Sequence, residues 1–166
     1  MAVKILVVCG FCILLAIICY LNTGTDQKNM IGFRSYPKEV QKLVREDPIL
    51  NKMAPKEINM VKVLISNIVL FTILFVVTGI LLKRTVGFNS NFDTFVYFLI
   101  LGEMINLFDL VIIDLLWWRN TTRIRFSTIQ DKALYQDPYM HVASFLRGIV
   151  MYFGVALIVT GILMIF

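Results

Sequence analysis

Charge is scarce in this chain: of 166 residues, 16% are Asp, Glu, Lys or Arg and 58% are hydrophobic, whereas a soluble domain carries about 25% charged residues. A core of this size leaves too much surface in water to hide so much apolar area, which excludes an ordinary soluble domain. The same composition excludes a disordered chain. Histidine occurs once, as His141, and without an HExxH pair only carboxylates remain for zinc. No Gly-rich phosphate loop, serine elbow or paired-cysteine knuckle is present, and neither an internal repeat nor a low-complexity segment breaks up the chain. The sequence therefore predicts no metal and no cofactor.

Cysteine is nearly confined as well. Cys9, Cys12 and Cys19 all fall in the first apolar run. Cys9-Gly-Phe-Cys12 has redox spacing, but a thiol surrounded by hydrocarbon forms little thiolate, so the three are expected to act as small apolar residues. No disulfide framework follows from them.

Long uncharged runs are abundant. Between Lys4 and Asp26 lie 21 residues without a charge, between Lys62 and Lys83 lie 20, and 19 follow Arg147. About 20 residues of helix cross a hydrocarbon layer of about 30 Å. A fourth stretch, Phe92 to Trp118, is apolar in bulk despite Asp93, Glu103, Asp109 and Asp114, and it ends in Trp117 and Trp118 ahead of Arg119, as a segment does at a headgroup boundary. The expected fold is all-α, a polytopic integral membrane protein of one domain. It is a bundle of four transmembrane helices at about 5–22, 61–82, 93–118 and 141–166, with loops 23–60, 83–92 and 119–140.

The stretches from Asn22 to Lys62 and from Arg119 to Met140 carry eight and four Lys and Arg, against Lys4, Lys83 and Arg84 on the other side. The positive-inside bias then places both larger loops in the cytoplasm and both termini outside, in the cell membrane. The rival is a cleavable signal peptide with Lys4 as its basic region. No small-x-small site follows the apolar run and Cys9 lacks the small residues that precede a lipoprotein cysteine, so the first helix is expected to be retained. The basic loops are accounted for by topology, and nucleic acid is not expected as a partner.

Within the first loop, Val40, Leu43 and Val44 recur at helical spacing while Lys38, Lys42 and Arg45 lie off that stripe. Pro37 suits the first turn and Asp47-Pro48 supplies a stop. This short amphipathic helix either rests on anionic headgroups or caps the cytoplasmic end of the bundle, with Lys38, Lys42 and Arg45 as the partner or headgroup contact. Pro55 is expected to open the second span, and Asp137-Pro138 the fourth.

The third span holds the informative polar residues. A charged carboxylate at mid-helix costs about 2.5 to 3.5 kcal/mol on insertion scales and is a functional-site hypothesis by default. At 100° per residue, Glu103 and Asp114 lie about 20° apart, with Asn106 about 60° and Asp109 about 120° to the side. Matching depths on antiparallel helices brings Asp114 level with Arg147 and with Asn67, and Glu103 level with Thr78. A buried ion pair of Asp114 and Arg147 with Asn67 beside it would remove two isolated charges. Glu103 and Asp109, with Asn106 and Thr78, are then the candidate ion or proton site, the carboxyls being protonated, paired with a cation or wetted. His141, Ser144 and Arg147 form a polar corner toward Asp114.

Three functions fit. The first is a small accessory or assembly partner within the membrane, using Phe33 to Pro48 as its contact. The second is an oligomeric proton- or cation-linked transport component using Glu103 and Asp109. The third is a membrane enzyme acting on a lipid or lipid-linked substrate at the cytoplasmic face, with His141 or Asp114 as base and Arg147 or Arg119 holding a phosphate. The expected partners are the lipid bilayer and a second copy or another membrane protein.

Overall fold

The fold, taken from a computed structural model, is described for residues 2–55 and 59–165. Helix α1 (Ala2–Leu21) is followed by α2 (Asp26–Asn29), a 3-10 turn (Met30–Ser35), α3 (Lys38–Glu46) and α4 (Leu50–Met53). Then come α5 (Met60–Thr85) and α6 (Asn91–Phe108), which continues without a break as a π-helix (Asp109–Trp118). A 3-10 turn (Lys132–Tyr135) leads to α7 (Tyr139–Leu163). Among the described residues the structure is helical and has no strand, only a lone antiparallel bridge between Phe126 and Ile129. Four helices are long and apolar enough to cross a membrane: α1, α5, α6 with its π extension, and α7.

The helix ends follow from local chemistry. Asn59 caps α5, its side-chain oxygen accepting from the Lys62 amide at 3.0 Å. The helix thus begins at Met60, five residues beyond the Pro55 expected to open it, and residues 56–58 lie outside the described residues. At the start of α7, Asp137 Oδ1 accepts from the Tyr139 amide at 2.9 Å, the role expected of an aspartate ahead of Pro-Tyr.

The chain divides into two compact units, Met1–Phe11 with Asn59–Leu107 and Leu146–Phe166, and Cys12–Ile58 with Phe108–Phe145.

In the first unit the aromatic rings make the core. Phe75 is fully buried, with ring centroids 5.6 Å from Phe11, 5.6 Å from Phe98 and 6.3 Å from Tyr152. Helix backbones approach closely where glycine allows it: a Cβ on Gly79 would strike Leu163, and one on Gly102 would lie 2.6 Å from the Tyr152 ring. Lys83 Nζ donates to the Leu163 carbonyl at 2.6 Å, satisfying an end carbonyl of α7.

The second unit is built from the two larger loops, which fold against each other. Its core comprises Met30, Phe33, Tyr36, Val40, Val44 and Leu50 from the first loop with Trp118, Ile124, Phe126, Ile129 and Tyr135 from the segment after the π-helix. Tyr36 is the hub, its ring 4.9 Å from Trp118 and from Phe126 and 5.9 Å from Tyr135, and its hydroxyl donates to the Ile124 carbonyl at 2.7 Å. Val40 and Val44 are fully buried, so the apolar stripe of α3 is taken up by the protein's own aromatic core, while Lys38, Lys42 and Arg45 stay exposed.

Polar bonds knit the same two loops. Arg123 Nη2 donates to the carbonyls of Tyr20 at 3.1 Å and Thr23 at 3.0 Å, and its guanidinium lies 4.0 Å from the Tyr20 ring centroid. A cation thus sits against the last turn of α1, where the helix dipole favours it. Asn29 Nδ2 donates to the Arg123 carbonyl at 3.0 Å, and the Ser127 hydroxyl donates to Asp26 at 2.6 Å.

Candidate functional site

The π-helix decides the geometry of the carboxylates. Residues five apart in an α-helix point about 140° away from each other. With i→i+5 hydrogen bonding they stack one above the other on one face. Asp109 and Asp114 are five apart and both lie in the π segment, which therefore puts the two on one face. The 100° step that aligned Asp114 with Glu103 does not apply beyond Phe108.

His141, in the first turn of α7, completes the set. Its Nδ1 is 2.9 Å from Asp114 Oδ1, and its side chain is 2% exposed. The ring packs edge-on against Trp118 with centroids 4.7 Å apart. Its other nitrogen, Nε2, is buried and has no hydrogen-bond partner. Asp109 lies within electrostatic reach of Asp114 and His141, and Cys19 of α1 within reach of both aspartates. His141 and Asp114 are in direct contact, with Asp109 and Cys19 within electrostatic reach, and all four belong to the second unit.

The chemistry follows from the donor pattern. Donation from Nδ1–H to the Asp114 carboxylate fixes the imidazole tautomer, leaving the Nε2 lone pair as an acceptor. Among the described residues no group of three or more His, Cys, Asp or Glu is arranged to hold a metal ion.

The remaining expected site residues are placed as follows. Glu103, Asn106, Thr78, Asn67 and Arg147 belong to the first unit. Asn106 Nδ2 donates to Glu103 Oε2 at 3.4 Å, while Glu103 Oε1 is buried without a hydrogen-bond partner. The Thr78 hydroxyl donates to the Leu74 carbonyl of its own helix at 2.8 Å. Asn67 is half-buried on α5 and Arg147 is exposed on α7. Asp114 has His141 as its partner, and among the described residues the other contact between a basic and an acidic side chain is Lys42–Glu46 at 3.8 Å.

Two parts of the site escaped sequence reasoning. Trp118 looked like an interfacial anchor, yet it is 7% exposed and joins the loop core to His141. Arg123 counted as one more orienting charge, whereas it holds the end of α1. Nothing local marks either role, since both depend on partners about a hundred residues away or on a different helix.

No family model, curated protein or solved structure matches this chain.

Proposed function

We propose that this chain is a proton-linked component of a membrane, in which Asp109, Asp114 and His141 take up and release a proton. The observation that carries this is the 2.9 Å contact between His141 Nδ1 and Asp114 Oδ1, with Nε2 buried and unpartnered. Chains of Asp and His within spanning segments are the usual material of proton relays. Charge bias supports an orientation with both larger loops in the cytoplasm and both termini outside. A full pathway would form between copies or with another membrane protein.

Reconstituted liposomes test this. With a pH-sensitive dye inside and an imposed gradient, the wild type should dissipate the gradient faster than empty vesicles, and Asp114→Asn or His141→Gln should abolish the difference. Undiminished flux in both variants would overturn the proposal. Conversion of added lipid extract that is lost in the same variants, without flux, would assign the dyad to general-base catalysis instead.

The accessory reading has one observation in its favour. The charged face of α3, with Lys38, Lys42 and Arg45, stays exposed while its apolar face is consumed. A partner there would be recognised by charge rather than by apolar docking. Reversal of these three charges should then abolish co-purification of the partner while leaving proton flux unchanged.

A further inference from the structure

The π-helix from Asp109 to Trp118 is ten residues long, whereas π winding ordinarily occurs as single-turn bulges inside α-helices and clusters at functional sites. Something must hold so long a run in this register. At its C-terminal end Trp118 is locked between Tyr36, Tyr135 and His141. In its middle Asp114 is tied to His141, and Ile113 is buried beside it.

The winding also creates a conflict. It places Asp109 and Asp114 on one face, and two carboxylates that share a site resist carrying charge together. Among the described residues, His141 from α7 and Cys19 from α1 lie within electrostatic reach of them. One proton, held by His141 or shared between the carboxyls, removes the conflict. Without it the two negative charges repel, and α winding relieves them by turning Asp109 about 140° from Asp114.

We propose that Asp109–Trp118 is a two-state element whose winding is set by the proton on the Asp109, Asp114 and His141 set. The protonated set holds the π form, and loss of the proton rewinds the segment to α and carries Asp109 off the Asp114 and His141 face. Uptake and release thereby face different surroundings, which is what a proton-linked device requires of a two-state element. This rests on the reading that the set exchanges protons.

Solid-state NMR on the full-length protein in liposomes separates the two ideas. With a 13C carbonyl at Asp109 and 15N at either Ile113 or Asp114, the dipolar coupling reports which amide is bonded to the Asp109 carbonyl. The expected result is coupling to the Asp114 nitrogen at the acid end of a pH series, moving to the Ile113 nitrogen at its alkaline end. Asp109→Asn should keep the Asp114 pattern throughout, because the repulsion is gone. Carboxyl and imidazole shifts that titrate while the coupling stays on Asp114 would overturn the switch and leave the relay standing. Shifts that do not titrate at all would overturn both.

Discussion

Trp118 and His141 pack edge to face with ring centroids 4.7 Å apart, so the loop core and the His141–Asp114 pair share a wall. Trp118 is in turn 4.9 Å from Tyr36, the hub of the loops. The position of the imidazole is therefore set from the loop side by an aromatic stack and from the helix side by Asp114.

Trp118→Ala should lower the melting temperature in detergent and loosen His141. Emptying a buried aromatic site costs about 3 to 5 kcal/mol in soluble cores. Trp118→Phe keeps a ring against both neighbours and should recover much of the loss. Equal melting temperatures for the two variants would show that the stack does not position the histidine.

The Asp114 and His141 pair should behave as one unit. In a double-mutant cycle, Asp114→Asn and His141→Gln should be non-additive by about 0.5 to 3 kcal/mol, as expected for residues in direct contact. Arg147 is exposed, so Arg147→Leu combined with Asp114→Asn should be additive. Recovery of stability by that second combination would restore the Asp114–Arg147 pairing in place of the one with His141.

Much of the fold was legible because it is written in long runs. Uncharged stretches of about 20 residues define spans whatever their neighbours do, and α1, α5 and α7 begin and end within a few residues of the expected spans. The amphipathic stripe of α3 was legible for the same reason, since Val40 and Val44 recur at helical spacing. What covers that stripe was not, because Phe126 and Tyr135 come from a loop about ninety residues on. The face shared by Asp109 and Asp114 was illegible for a sharper reason. Nothing in Asp-Leu-Val-Ile-Ile-Asp distinguishes π from α winding, and a periodicity of 3.6 assumes the answer. His141 and Asp114 were each visible as polar residues in apolar surroundings, but their pairing depends on that winding.

Gly24 is a stringent position in the loop unit. Its φ of +106° lies where side chains are rarely tolerated, and an added Cβ would sit 2.8 Å from Arg123 Nη2. Gly24→Ala should destabilise the protein by about 1 to 3 kcal/mol through backbone strain alone. Removing the clash with Arg123→Ala should not rescue it, because the strain remains and the end of α1 loses its cation. Rescue by Arg123→Ala would show that the clash, rather than φ, is the constraint.

The two buried tyrosines of the loop core make it sensitive to alkali. Burial pushes the Tyr135 hydroxyl up to about 12, and burial next to Tyr135 and Asp26 pushes Tyr36 up as well. A phenol whose folded pKa lies above its unfolded value of about 10 contributes stability that is complete below that value and is lost as pH rises toward the folded pKa. The loop unit should hold below about pH 10 and loosen above it, with tyrosinate absorbance and loss of structure rising together. The two hydroxyls differ in what they leave behind. Tyr135 accepts from the Phe126 amide at 3.2 Å and donates to the Ile129 carbonyl at 2.8 Å, whereas Tyr36 only donates, to Ile124. Tyr135→Phe strands a buried amide and should cost about 1 to 3 kcal/mol, more than the about 1 kcal/mol expected for Tyr36→Phe. Both substitutions remove a titrating group, so each variant should lose less of its remaining stability between about pH 10 and about pH 12 than the wild type does. An unchanged alkaline limb in both would place the sensitive group outside the loop core.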